Sequence, residues 1–269
     1  MRIVFIGGGN MASALIGGLA GRSKQAPIIT VIEPVAAQRE ALQSRFSVQV
    51  LEAPDQAALD ADILVMAVKP QQMRDAAQAC ARWVSRQLVI SVAAGIRIAD
   101  LQRWLGGHPR IVRAMPNTPA LISLGVTGMC AGAAVSADDR TTADSILSAV
   151  GETVWVNDES LIDAVTAVSG SGPAYVFRFI EAIEQAAIKQ GLSAQDARKL
   201  TLATFRGASE LAARSHEPPA TLRERVTSKG GTTAAALAVM EQGELGTLID
   251  RAVEAACRRG AELGDEFGR

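Results

Sequence analysis

Several features that would point to particular classes of protein are scarce in this chain. Its three cysteines, Cys80, Cys130 and Cys257, are an odd number at wide spacing with no C-x-x-C pair. That excludes a disulfide framework or a zinc site as the expectation and leaves reduced core thiols. Charge of one sign is missing as well: 27 basic residues stand against 28 acidic ones, a formal net charge of −1. No broad positive field is left to hold nucleic acid or an anionic membrane surface, so neither is expected as a partner. No apolar run approaches the roughly 20 residues of a membrane-spanning helix. The opening Arg2-Ile3-Val4-Phe5-Ile6 breaks into glycine too soon for a secretory signal, which makes the cytoplasm the expected location. The two histidines, His108 and His216, lie in loop-like contexts beside glycine and proline, outside any motif, and neither is assigned a catalytic role. No metal is expected. There are no repeats and no low-complexity segments. What remains is 48% hydrophobic and 20% charged over 269 residues, the profile of a globular protein with room for two domains.

The first half alternates short β-branched runs with helix-length stretches. Candidate strands are 2–6, 28–32, 63–68, 88–92, 110–115, 125–131 and 153–156. The early runs are apolar throughout and do not alternate, as in a parallel sheet covered by helices on both faces. After about Glu159 the β-branched clusters give way to alanine- and leucine-rich helical spacing, for example Val176, Phe179, Ile180, Ile183 and Ala187. Gly191-Leu192-Ser193, Glu217-Pro218-Pro219 and Gln242-Gly243 mark breaks between helices. The expected plan is an α/β Rossmann-type dinucleotide-binding domain over 1–158 and an all-α domain over 159–269. Helices with such wide apolar faces in so short a domain call for a second copy of the chain, so dimerisation is expected there.

Directly after the first strand stands Gly7-Gly8-Gly9-Asn10-Met11-Ala12, which fits G-x-G-x-x-A. Gly7 permits the tight turn, Gly9 lets a pyrophosphate approach the backbone, and Ala12 lets helix and strand pack closely. Free N–H groups and the positive end of the helix dipole would seat the anion. The alternative is a tight turn with no ligand, but the strand before, helix after and second strand at the right distance favour a dinucleotide. The second strand ends in Glu33-Pro34; an acidic side chain there accepts from the adenosine ribose hydroxyls and favours NAD, whereas Arg39 could reach the 2′-phosphate of NADP. Glu33 as a plain exposed strand-end charge is the bland reading, and cofactor preference stays open. The third strand leads into Ala67-Val68-Lys69-Pro70, placing Lys69 beside a cofactor unless it is only a solvated loop lysine. Ser91-Val92-Ala93-Ala94-Gly95 supplies small residues where a nicotinamide ring needs room.

Three more segments are dense in small and turn-forming residues: Met115-Pro116-Asn117-Thr118-Pro119, Ala167-Val168-Ser169-Gly170-Ser171-Gly172-Pro173-Ala174-Tyr175 and Val226-Thr227-Ser228-Lys229-Gly230-Gly231-Thr232-Thr233. The last precedes a helical stretch over 234–242. There Thr232 can cap and exposed N–H groups offer a seat to a small carboxylate, or they form an ordinary helix start. Pro173 suits the first turn of another helix. The glycines around it either let a nicotinamide and a flat ring stack or let two helices pack closely.

Taken together, in order and spacing across essentially the whole chain, these segments resemble pyrroline-5-carboxylate reductase. The resemblance implies NADPH- or NADH-dependent reduction of 1-pyrroline-5-carboxylate to L-proline, a helical domain that interlocks with a second subunit, and often a pentamer of such homodimers. It also implies roles residue by residue. Gly9, Asn10 and Met11 meet the dinucleotide phosphates, while Ala67, Lys69 and Pro70 form a cofactor loop to which Val68 belongs. The hydroxyl of Thr233 meets the ring nitrogen, and the amides of Thr232 and Thr233 receive the substrate carboxylate. Ser171, Gly172, Pro173, Val226 and Gly231 complete the substrate side. Two positions depart from the family. Lys229 stands where Ser-Pro-Gly-Gly is usual, and Pro54 stands where an asparagine commonly lies near the adenosine ribose. Two rivals are a hydroxyacid dehydrogenase, which would need a lysine on the helix entering the second domain where 168–188 has none, and a non-catalytic NAD(P) sensor, which would need no second anion seat.

Overall fold

The computed structural model describes residues 1–22 and 27–269. Among these described residues are eight strands and twelve α-helices, which open in the order β1 (Arg2–Ile6), α1 (Asn10–Arg22), β2 (Ile28–Ile32), α2 (Ala36–Phe46), β3 (Gln49–Leu51), α3 (Gln56–Leu59), β4 (Ile63–Met66), α4 (Pro70–Cys80), β5 (Leu88–Ser91), α5 (Ile98–Trp104), β6 (Ile111–Met115), β7 (Gly125–Ala131), α6 (Ala137–Leu147) and β8 (Gly151–Trp155). Helices α7 (Leu161–Val165), α8 (Gly172–Lys189), α9 (Ala194–Arg214), α10 (Pro219–Arg225), α11 (Thr232–Gln242) and α12 (Leu245–Phe267) follow.

One eight-stranded sheet has the order β3-β2-β1-β4-β5-β6-β7-β8. The Rossmann plan expected from the sequence is therefore present. Alternate residues of β1 explain why its run is apolar throughout. Ile3 and Phe5 join a core with Leu15 and Ile16 of α1, whereas Val4 and Ile6 join one with Met73 and Ala77 of α4 on the other face. Each fully buried aliphatic side chain contributes about 1.5–3 kcal/mol.

Three expectations need correction. β3, only Gln-Val-Leu, has no apolar run to announce it and is held by parallel pairing with β2. β7 runs antiparallel to β6, the one antiparallel pairing among the described strands: only nine residues, 116–124, lie between Met115 and Gly125, fewer than the roughly a dozen that a parallel crossover takes. β4 and β5 stop at Met66 and Ser91, short of the predicted ends.

The chain divides into two compact units, Met1–Ser171 with Ala255–Arg269, and Gly172–Glu254. In the first, Arg113 of β6 is buried and pairs with Glu159 at 3.1 Å and Asp163 at 3.5 Å, tying the sheet to α7. The end of α12 also packs here: a Cβ on Gly95, whose φ is +72°, would lie 3.2 Å from Leu263 and 3.3 Å from Phe267. In the second, the helix breaks fall at the predicted places, but α8, α10 and α11 bury no residue. Phe177, Leu200, Leu211 and Val239 are 55–68% exposed. No described helix is long and apolar enough to cross a membrane.

Candidate functional site

After β1 the chain passes to β2 and β3 on one side and then crosses to β4 on the other, so a crevice opens at the carboxyl ends of β1 and β4, where ligands bind in such sheets. A cleft of about 770 Å³ lies there, lined by Gly7, Gly9, Asn10, Glu33, Ala67, Val68 and Lys69 among others. Met11 is half-buried against the core beside it, and Pro70 occupies the first turn of α4.

The turn is built by backbone demands that glycine meets. Gly7 has φ +94°, and a Cβ there would meet the Ala67 carbonyl oxygen and Val68 Cγ1 at 2.9 Å. At Gly8 a Cβ would run into Leu42 at 2.5 Å, whereas at Gly9 it would meet nothing within 4 Å. Gly9 therefore faces open cleft, and a side chain there would enter the cradle a pyrophosphate needs. The Gly9 carbonyl accepts from Ser13 N–H at 2.9 Å in the first turn of α1, and the N–H groups opening α1 lie beside the cleft. The residues fit a dinucleotide.

Glu33 is not an exposed strand-end charge. It is buried, and its carboxylate accepts from Gly8 N–H at 2.9 Å and from Val35 N–H at 2.9 Å. Gln38 Nε2 adds a bond to the Gly8 carbonyl at 2.6 Å. Arg39, which could have pointed at a 2′-phosphate, instead donates Nη1 to the carbonyls of Glu33 and Pro34, both at 2.7 Å, and pairs with Glu52 at 3.4 Å. The Gln38 bond spans 30 residues, and no local pattern announced it. Lys69 is exposed at the N-cap of α4 and lines the cleft. Ala93 lies apart from the lining, buried in the core beneath it.

The segment around Ser171 departs from a simple helix start. α7 continues through a π-helical turn, Thr166–Gly170, closed by Ser171 N–H donating to the Thr166 carbonyl at 2.8 Å, and α8 begins at Gly172 with Pro173 in its first turn. Such π turns are frequent at functional sites. A Cβ on Gly170 would lie 2.7 Å from Met115 Cε, so the small-residue run here lets the first predicted motif approach the second.

In the second unit, Val226 caps the end of α10 and is exposed. Helix α11 begins at Thr232, and its N-cap is Gly231, with no side-chain cap bond. The expectation that Thr232 caps this helix is corrected: Thr232 is already the first helical residue, and glycine in the cap position has no side chain to use. The N–H groups of Thr232 and Thr233 thus sit where a helix supplies no internal acceptor, at the positive end of its dipole. A small anion suits that end.

Of the thiols, Cys80 and Cys130 are buried but Cys257 is only half-buried, so the core reading holds for two of the three; all three are free. Burial pushes the Cys80 thiol up to about 12 and raises that of Cys130, so neither carries the thiolate a nucleophile needs. His108 is buried with Nε2 2.9 Å from the Gln87 carbonyl, and burial lowers its pKa, which makes it a neutral core histidine.

Comparison with known proteins matches this geometry from end to end. A family model described as pyrroline-5-carboxylate reductase dimerisation covers residues 159–263, and one described as NADP oxidoreductase, coenzyme F420-dependent, covers 2–95. A pyrroline-5-carboxylate reductase of Pseudomonas aeruginosa is 46% identical over 269 residues, spanning 100% of this chain and 98% of its own. Among solved structures, a pyrroline-5-carboxylate reductase from Coxiella burnetii is similar at a TM-score of 0.92 and 39% identity, over 97% of this chain and 98% of that one. The Plasmodium falciparum pyrroline carboxylate reductase with NADP bound is similar at 0.85 and 30% identity, over 98% of each.

Proposed function

Because the chain belongs to the pyrroline-5-carboxylate reductase family, we infer that it is an NADPH- or NADH-dependent oxidoreductase acting on the CH–NH group, reducing the C=N bond of 1-pyrroline-5-carboxylate to L-proline in proline biosynthesis. The observation that carries this reading is the 46% identity sustained over the whole chain.

Bound at the cleft, a reduced nicotinamide dinucleotide supplies the hydride. This chain's own part is mostly placement, since a protonated imine is already electrophilic. The backbone of Gly7, Gly9, Asn10 and Met11 holds the phosphates, with Glu33, Ala67, Val68, Lys69 and Pro70 as the remaining cofactor contacts; Ala93, expected among them, is left out because it is buried in the core apart from the cleft lining. The amides of Thr232 and Thr233 hold the substrate carboxylate, and the Thr233 hydroxyl orients the ring nitrogen and stabilises the amine formed. Ser171, Gly172, Pro173, Val226 and Gly231 shape the substrate side. Support for these roles comes from the uncapped start of α11 and the side-chain-free backbone at Gly9.

The working protein is an oligomer acting on a small molecule. Its finer form is a homodimer built through residues 159–269, with 1–158 as the dinucleotide-binding domain, and five such dimers as a decamer; the exposed apolar side chains of α8, α9 and α11 support the pairing. Its location is the cytoplasm. The purified protein should oxidise NADH or NADPH only when 1-pyrroline-5-carboxylate is supplied, with proline formed in equal amount. Nucleotide oxidation without proline, or none at all, would overturn the assignment.

A further inference from the structure

The side of the cleft formed by β2 and α2, where the adenosine ribose of a dinucleotide rests in this sheet plan, carries charge of one sign. Glu33 and Glu52 line the cleft there, whereas Asp75 of α4 lines it on the β4 side together with Lys69, the basic one among the described lining residues. Lys69 follows β4, on the opposite side of β1 from β2.

Glu33 cannot readily move out of the way. It is 9% exposed, and both carboxylate oxygens accept backbone N–H groups at 2.9 Å, from Gly8 and from Val35. Each oxygen keeps a further lone pair for a ribose hydroxyl. Arg39, the cation that could answer a phosphate, is spent on the carbonyls of Glu33 and Pro34 and on Glu52. To grip a phosphate in the two-pronged way guanidinium does, it would have to release those three partners. Pro54, also in the lining, has no backbone N–H to give.

We propose that this arrangement makes the chain select NADH over NADPH, with Glu33 as the specificity-determining residue: its fixed carboxylate accepts from the ribose 2′-hydroxyl and repels a 2′-phosphate that Arg39 is not free to neutralise. The proposal rests on the dinucleotide reading above and adds to it the identity of the nucleotide.

The test measures binding without turnover. ADP-ribose and 2′-phospho-ADP-ribose, which lack the nicotinamide, are titrated calorimetrically into the full-length protein, alongside initial rates with NADH and NADPH. ADP-ribose should bind at least about tenfold more tightly, and the ratio should shrink as salt is raised, since added ions screen the repulsion. Glu33→Gln should narrow the ratio to less than about threefold, chiefly by tightening the phosphorylated fragment. Should that variant fold poorly, the wild-type ratio and its salt dependence carry the test alone. Equal or tighter binding of the phosphorylated fragment by the wild type overturns the preference and leaves the dinucleotide site intact. Failure of both fragments to bind overturns the preference and the dinucleotide reading together.

Discussion

Asn117 Nδ2 donates to the Ser169 carbonyl at 3.1 Å, and its Oδ1 accepts from Val126 N–H at 2.9 Å. One half-buried side chain thereby joins the turn after β6, the start of β7 and the π-helical turn that precedes α8. Asn117→Ala removes both bonds and leaves a carbonyl and an N–H without their partner, at a cost of about 1–3 kcal/mol. Thermal unfolding should show a lower Tm, and Asn117→Asp, which keeps the acceptor for Val126, should fall between the two. An unchanged Tm in the alanine variant would show that the link is not holding the segment.

Gly7 and Gly9 should separate folding from binding. Gly7→Ala forces a side chain into a positive-φ site against the Ala67 carbonyl, costing about 1–3 kcal/mol of stability. Gly9→Ala meets nothing within 4 Å, so its unfolding free energy should stay within about 1 kcal/mol of wild type. Its dinucleotide affinity, measured by titration, should nonetheless drop about tenfold or more, because the new methyl occupies the phosphate approach. Normal affinity in Gly9→Ala would remove the pyrophosphate from this turn.

Thr233→Ala should slow turnover by more than about tenfold, or ~1.4 kcal/mol of barrier, and Thr233→Ser, which keeps the hydroxyl, should recover most of the rate. If alanine turns over as fast as threonine, the hydroxyl takes no part in the reaction.

The unpartnered apolar faces call for a second copy of the chain. Phe177 on α8 is 65% exposed, so Phe177→Glu leaves the fold of one subunit intact while placing a charge in an apolar contact. Light scattering after size exclusion should give at least a dimer for the wild type and a shift towards monomer for the variant. A wild-type monomer at working concentration would sink the homodimer.

Burial lowers the pKa of His108 below the ordinary 6.5, with the Gln87 carbonyl opposing the shift. The unfolded chain therefore binds this proton more readily than the folded one. The contribution to stability is fully present above about pH 6.5, is lost as pH falls from there towards the folded-state pKa, and levels off beneath it. Asp139, whose carboxyl the Arg110 guanidinium holds below 3.8, acts only in a lower window. Melting curves between pH 8 and 5 should show Tm declining through the histidine window, and declining less in His108→Gln. Parallel declines in the two proteins would clear His108 of the effect.

Much of the nucleotide-binding half could be read directly from the chain because the signals there are local. β1 carries a four-residue apolar run, Ile3–Ile6, ended by glycines, and the glycine pattern itself marks the turn, with Gly7 in a positive-φ conformation and Gly9 facing open space. The helix breaks at Gly191, Pro218 and Gly243 were legible for the same reason. β3 was not, since Gln49-Val50-Leu51 owes its strand character to its neighbour Thr30-Val31-Ile32 rather than to itself. The antiparallel turn of β7 was legible in principle: the connection after Met115 is too short to cross the sheet. At the start of α11 the capping threonine was misassigned by one position, because several small residues in a row leave the boundary to the backbone.

By itself, the order of residues determined a doubly covered sheet, a phosphate-binding turn and a helical second half with more apolar surface than one chain can bury. These follow from periodicity, glycine placement and size. Only the tertiary structure decided what Glu33 and Arg39 do. Whether a charged side chain meets a ligand or its own backbone depends on groups brought together from distant parts of the chain, and a long side chain keeps many rotamers until packing and hydrogen bonds select one.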